Sequence, residues 1–270
     1  MLTIIAAPEG VQQIHLRSLA GRVAGFTVNM FLSRGVLIDA GFPRAAGAVA
    51  RFVADARPRG ALITHAHEDH AGNVGVLRAA GVPVGMADPT RDALRAPEPI
   101  QFYRRWIWGD QPALAQPGAA FSDPSFQFIA TPGHSADHHA IWDAERGHLF
   151  GGDLFLGTRV SIAYAWEDPR ALERSVRAAA ALQPAILFDS HRGAIVATAA
   201  RLLGKAEWLA DTIGRIDAAA AAGHPVAAIR DRVLGRETVT GIVTRGVFSR
   251  AEFVRAVLRG APGAPPSAAG

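Results

Sequence analysis

The stretch Thr64–Asn73, THAHEDHAGN, places three histidines and two acids within ten residues. His65 and His67 are two apart, so on an extended chain their imidazoles point to the same side. Asp69 and His70 come next, where a first helical turn would aim them at an adjacent point. Imidazole nitrogen and carboxylate oxygen are donors that suit zinc. The spacing H-x-H-x-D-H therefore reads as a metal site built from two pairs of ligands, and the plainer alternative is a solvated polar loop.

Three later segments favour the metal reading. TPGHSADHH sets His134 after a strand and a Pro-Gly turn, LFGGDLF sets Asp153 at the end of an apolar run, and ILFDSHRG sets His191 just past another expected strand. Loops from one edge of a sheet can bring such positions together. The chain has no cysteine, which excludes disulfides, thiolate ligands and a cysteine nucleophile.

The elements that must position these residues follow from hydrophobic pattern. VQQIHL and FTVNMFLSRGVLIDAG read as strands, the second pair turning at Arg34–Gly35. AAGAVARFVADA has helical spacing, GALITH is a short strand ending at the histidines, and a helix is expected from Ala71 through Leu77. VPVGMA continues as a strand, with Asp88 as the N-cap of the next helix. Residues 96–124, rich in proline and aromatics, read as an irregular insertion with one short helix. SFQFIAT, a hairpin through HAIWDAERGHLFGGD, a helix from Pro169 to Leu182 and the strand AILFDS follow. Strands, hairpins and helices in this order imply α/β layering with mixed sheets. From Arg201 the pattern is helical. The expected domains are a catalytic domain over 1–200, a helical C-terminal appendage over 201–260 and a disordered low-complexity tail over 261–270.

The chain has 270 residues, 49% of them hydrophobic and 19% charged, enough to bury a core. Net charge is +4, from 28 basic and 24 acidic residues, and Lys205 is the sole lysine. That balance argues against nucleic acid as a partner. The opening MLTIIAAPEG lacks the basic start of a signal peptide, and no apolar run reaches membrane-spanning length, so a cytoplasmic location without a membrane partner is expected.

The four segments, in this order, resemble the metallo-β-lactamase fold superfamily of hydrolases over roughly residues 10–200, in its glyoxalase II and lactonase-like branch. The resemblance implies a four-layer αββα sandwich with metals at the loops of the two sheets. It implies that His65, His67 and His134 hold one divalent metal, that Asp69, His70 and His191 hold a second, and that Asp153 bridges them. Zinc is the expected metal, with iron or manganese also suited to such a shell. The implied reaction is attack by a metal-bridging hydroxide on a small-molecule ester, thioester or lactone, with Asp69 orienting the nucleophile or handling its proton. VLIDAG resembles the early segment whose acid, here Asp39, lies behind the site; a strand-end turn is the alternative for it. His138 falls where many relatives carry a second histidine, and a supporting or substrate-side role is weighed against a packing one.

Departures bear on the subfamily. The absence of cysteine excludes the lactamases with a cysteine ligand, and Asp153 argues against those that lack a bridging acid. LFLGTRVS stands where glyoxalase II-like thioesterases carry Gly-Cys-Gly, and Leu156 stands where acyl-homoserine lactonases usually carry tyrosine. The competing reading is a ribonuclease Z-like phosphodiesterase whose C-terminal helices help to bind nucleic acid. Trp106 and Trp108 in the insertion could wall an apolar substrate, or belong to a satellite core or an oligomer contact such as a homodimer. Arg159 and Tyr164, soon after Asp153, are further candidate substrate contacts. Arg104–Arg105 reads as a solvated surface pair.

Overall fold

The computed structural model describes residues 1–114 and 120–260, and the expected disordered tail lies outside the described residues. Among the described residues there are two sheets. The first holds β1 (Leu2–Ala6), β2 (Gln12–Leu16), β3 (Val28–Ser33), β4 (Val36–Ile38), β5 (Gly60–Ile63) and β6 (Val84–Met86) in chain order. The second holds β7 (Gln127–Ala130), β8 (His139–Asp143), β9 (His148–Gly152), β10 (Ile186–Asp189) and β11 (Gly193–Ile195), in the order β11-β10-β9-β8-β7. Both sheets are mixed. β1 to β4 run antiparallel and β4, β5 and β6 parallel, while β9 and β10 form the parallel pair of the second sheet. Mixed α/β layering with C-terminal helices is thus the architecture, as expected.

The chain divides into two compact units. The first comprises Met1–Ala130, Asp137–Leu156 and Pro184–Thr198, and contains both sheets. The second comprises Thr131–Ala136, Gly157–Gln183 and the chain from Ala199. The helix Pro169–Ala181 therefore groups with the C-terminal helices, which differs from one boundary near residue 200.

Strand alternation builds the first unit. Leu37, Ala61 and Ile63 face helices Ala46–Ala56 and Val74–Ala79 through Val49, Phe52, Val53 and Leu77. Their neighbours Val36, Ile38 and Leu62 face the second sheet through Phe150, Ile141 and Phe188. Side chains on successive strand residues point to opposite faces, so one strand feeds both layers. The hairpin at Arg34–Gly35 forms as expected, with φ of 52° and 76°; two left-handed residues give the turn whose twist matches that of the strands. The second unit packs Leu209, Ile213 and Ile216 against Ile229, Phe253, Val254 and Val257.

Several expectations are corrected in detail. The helix expected from Ala71 is two, Glu68–Ala71 and Val74–Ala79. Asp88 lies inside its helix while Ala87 takes the cap position. The edge strands β1 and β11 and the helix Val239–Val243 were not expected.

Candidate metal centre

β5 ends at Ile63, and the buried His65 follows while the chain is still extended. His67 is the last extended residue, at φ −61° and ψ 148°, before the helix Glu68–Ala71 begins. That junction turns Asp69 and His70 inward, and both are buried. His65 Nε2 and His67 Nδ1 lie 3.0 Å apart.

The second sheet supplies Asp153 and His191 to the same place. Asp153 follows the pair Gly151–Gly152, where Gly152 has φ +50° and a Cβ would come within 2.8 Å of His138 Nε2 and 3.0 Å of Thr64 Oγ1. Only glycine admits that conformation and that approach together. The β9–β10 register slips between Phe188 and Asp189, leaving Asp189 opposite Gly152. Such an irregularity redirects the chain next to a site, and here His191 follows it. Asn29 on β3 reaches Ser190, its amide and side-chain nitrogens donating to that carbonyl at 2.7 and 2.9 Å.

In two groups, His65–His70–Asp153 and Asp69–His70–His191, each residue offers one ligand atom, all within 4.8 Å of one another. His70 Nε2 stands 3.2 Å from Asp153 Oδ1 and 3.8 Å from Asp69 Oδ2, and His191 Nε2 stands 3.3 and 3.5 Å from the same two oxygens.

Hydrogen bonds fix which nitrogen faces inward. Asp39, at the end of β4 with φ +63°, accepts from His70 Nδ1 at 2.8 Å, so that nitrogen carries a proton. Asp39 also accepts from the Thr64 amide at 2.8 Å and from its hydroxyl at 2.9 and 3.0 Å. The hydroxyl has one hydrogen, spent on Asp39, so its oxygen accepts from His65 Nδ1 at 3.0 Å. The Thr27 carbonyl accepts from His191 Nδ1 at 2.5 Å. All three imidazoles thus have Nδ1 engaged by a neighbour, which leaves Nε2 as the nitrogen to meet a metal, the arrangement by which neighbouring groups orient metal ligands. His138 is a support of another kind. Its Nε2 accepts the Asp153 amide at 3.1 Å and holds the segment that carries Asp153.

The electrostatics agree. Burial, with His70, His67 and His138 around it, holds His65 well below the usual imidazole range. Burial also opposes charge on His70 and His191, yet the carboxylates outweigh it, lifting His70 well above its ordinary value and His191 to about 9. Burial penalises the Asp153 carboxylate, but His191 and His70 drive it well below its usual range. His70 Nε2 is buried and makes no aligned hydrogen bond among the described residues, although it faces two carboxylates. A field that favours a proton on two imidazoles at once favours a cation shared among them, and these nitrogen and carboxylate donors fit a divalent metal.

Three supports were not anticipated. Buried Asp189 accepts from the amides of His191, Arg192 and Leu156 at 2.9, 2.8 and 2.7 Å. Asp137 accepts from the Ala66 amide, between the paired histidines, at 2.8 Å. Glu68, inside the motif, is bound at 2.8 and 2.6 Å by Arg104. That pair corrects the reading of Arg104–Arg105 as a solvated pair: Arg104 is buried, and only Arg105 is exposed, bound to Asp110 at 2.6 Å.

The remaining candidates are placed as follows. Trp108 is buried among core residues, its ring 5.0 Å from Phe42 and 6.3 Å from Phe26. That position lies in the main core of the first unit. Trp106 is exposed on the helix face opposite Arg104, Ile107 and Trp108, turned away from the side tied to Glu68. His134, Arg159 and Tyr164 belong to the second unit. There His134 Nδ1 lies 3.5 Å from Glu167, Arg159 is exposed, and Tyr164 is stacked between Trp166 and Phe248.

Two mixed sheets with a histidine and carboxylate cluster at their loop ends define a metallohydrolase-like fold, and the comparisons give the family. The chain belongs to the metallo-beta-lactamase superfamily, whose model matches residues 26–191. It is similar to the thioesterase pkgB of Emericella nidulans, with 32% identity over 171 residues, 61% of this chain and 44% of that protein. It is also similar to the hydroxyacylglutathione hydrolase of Bdellovibrio bacteriovorus, with 32% identity over 97 residues, 36% of this chain and 34% of that one. The chain thus spans less than half the length of either relative. Among solved structures, a metallo-beta-lactamase family protein from Thermus thermophilus shares the fold, with a TM-score of 0.61, 20% identity and coverage of 96% of this chain and 91% of that one.

Proposed function

We propose that the chain is a metal-dependent hydrolase of a small-molecule acyl compound, a thioester before an ester or lactone. The observation that carries this is the convergence of His70 and His191 Nε2 on the carboxylates of Asp69 and Asp153, with His65 grouped beside His70 and Asp153 and each of the three rings held by a bond to its Nδ1. The similarity to a thioesterase and a hydroxyacylglutathione hydrolase supports the choice of thioesters.

In this reading His65, His67 and His134 would hold one divalent metal and Asp69, His70 and His191 a second, with Asp153 available to both. Zinc is the first metal to try, on donor type. When bound, such metals activate water at neutral pH and polarise an acyl carbonyl. The chain supplies the rest. Asp39 holds Nδ1 of His70 directly, and that of His65 through Thr64, so that Nε2 is the nitrogen each ring would offer a metal. His138 and Asp189 hold the segments carrying Asp153 and His191. Asp69, whose Oδ2 faces both His70 and His191, would orient the attacking water or take up its proton, which passes to the departing thiolate or alkoxide as the acyl bond breaks. Arg159 and Tyr164 remain proposed substrate contacts.

The test is turnover by the zinc-loaded protein of acyl thioesters, esters and lactones, set beside an aryl phosphodiester and short RNA. A variant carrying both His65→Ala and His67→Ala serves as the blank and is expected to lose turnover while keeping its fold by circular dichroism. Equal thioester turnover in that variant would sink the metal reading. Phosphodiester cleavage alone would replace the acyl reading with the ribonuclease Z-like one.

A further inference from the structure

Two short helices of the first unit, Leu19–Ala24 and Phe102–Trp108, lie against each other. Each buries its back. Gly21 faces the Phe26 carbonyl so closely that a Cβ would come within 2.7 Å, and Arg104, Ile107 and Trp108 are buried. Each also leaves an apolar pair, four residues apart, in the open. Leu19 and Val23 are 82% and 83% exposed, and Phe102 and Trp106 are 74% and 52% exposed. Residues four apart share one helix face, so each pair forms a short apolar ridge. Single exposed apolar side chains are ordinary, whereas two exposed apolar ridges on helices that touch mark a contact surface.

The charge around the patch selects what it meets. Each helix carries an exposed arginine beside its ridge, Arg22 and Arg105, and exposed Arg17 and Arg44 add to them. Arg44 donates to the Arg105 carbonyl at 3.1 Å, which ties it to the second helix. Residues 17–26 and 101–109 contain no acid, and the nearby Asp110 pairs with Arg105, so the excess positive charge rests on Arg17, Arg22 and Arg44. A two-fold contact would press two copies of the same net positive face together. An anionic surface meets them with the opposite sign.

We infer that this face docks the protein peripherally on an anionic lipid surface. The ridges enter the boundary between headgroups and acyl chains, Trp106 sits at headgroup level, and the arginines pair with lipid phosphates. The helices lie in the plane of the surface and do not cross it; no helix among the described residues is long and apolar enough to span a membrane. The inference does not depend on the hydrolase reading, because none of these side chains belongs to the histidine cluster.

The experiment is co-sedimentation of the full chain with vesicles of phosphatidylcholine alone and of phosphatidylcholine mixed with phosphatidylglycerol. Two paired variants accompany it, Leu19→Ser with Val23→Ser and Arg17→Gln with Arg22→Gln, each checked for its melting transition. Binding to the mixed vesicles is expected, with little to phosphatidylcholine alone, and a fall of about tenfold in either paired variant. The arginine pair keeps the test decisive if the apolar pair fails to fold. Absence of binding to anionic vesicles, or binding that neither pair weakens, would overturn the inference. So would a dimer in sedimentation velocity that the apolar pair converts to monomer without vesicle binding, which would make the face a contact between copies. A raised KM for a soluble acyl thioester in the apolar pair, again without vesicle binding, would make it a substrate wall.

Discussion

Asp39 and Asp189 are both buried carboxylates at strand ends, one in each sheet, and each serves a histidine of the cluster by a different route. Asp39 takes one amide and two side chains: the Thr64 amide and hydroxyl, and His70 Nδ1. Asp189 takes three amides and no side chain: those of Leu156, His191 and Arg192. Asp39 therefore governs how rings point and where their protons sit. Asp189 governs where a loop runs, and leaves the His191 ring to the Thr27 carbonyl. Orientation of a ring and placement of its backbone are separate tasks, and the two sheets divide them differently.

The largest effect should come from Asp39. Asp39→Ala removes the acceptor that fixes His70 directly and His65 through Thr64, so both rings lose their tautomer. Loss of a partner behind a metal ligand typically costs ten- to a hundredfold, and with two rings involved we expect roughly a hundredfold loss of metal affinity and of turnover. Metal titration by calorimetry, alongside kinetics, measures both. Asp39→Asn sharpens the comparison, since the amide oxygen can still accept from Thr64 while its nitrogen cannot serve His70 if placed there. It should fall between wild type and alanine; wild-type affinity in Asp39→Ala would break the distinction drawn here.

A smaller effect of a different kind is expected from Asp189→Ala. Three partly buried amides lose their acceptor; a fully buried donor left unsatisfied costs about 1–3 kcal/mol, and partial access to water puts the expected loss at about 1 kcal/mol. One of them belongs to Leu156, held at φ +52°, where a side chain is strained without a partner. Stability in urea should drop by about that amount. Metal affinity, measured on protein that remains folded, should fall less than in Asp39→Ala. If the ranking reverses, with metal affinity lost and stability kept, then Asp189 acts on the His191 ring after all.

The two carboxylates also differ in how far the sequence announces them. The ligand candidates stood out because histidine and aspartate crowd the ends of apolar runs, and Asp39 could be weighed because VLIDAG ends a strand. Asp189 closes a similar run in ILFDSHRG, yet its partners are backbone amides, which every residue has and no residue type signals. The Thr27 carbonyl behind His191 and the Asn29–Ser190 contact are hidden for the same reason, the latter across 161 positions. The Glu68–Arg104 pair spans 36 positions, and nothing local says that these charges are buried. Trp108 was legible in principle: helical phase puts it with Ile107 and opposite Phe102, the side a core would take. The αββα expectation located the sheets, but the grouping of Pro169–Ala181 with the C-terminal helices depends on packing among distant segments.

The smallest effect isolates one step of the Asp39 chain. Thr64→Val keeps the side-chain volume and the amide bond to Asp39, and removes only the hydroxyl between Asp39 and His65. His70 keeps its own bond to Asp39, so a single ring is released. A hydrogen bond of this kind is worth about 1 kcal/mol, and close to a charged partner somewhat more. The expected outcome is a several-fold loss of metal affinity, confined to the site that His65 serves, with His70 unaffected. Imidazole nitrogen NMR reads this directly, because the Nδ1 proton of His65 should exchange faster while that of His70 does not. If both signals change together, Thr64 supports Asp39 as a whole, and the division between one carboxylate that sets rings and another that sets a loop needs redrawing.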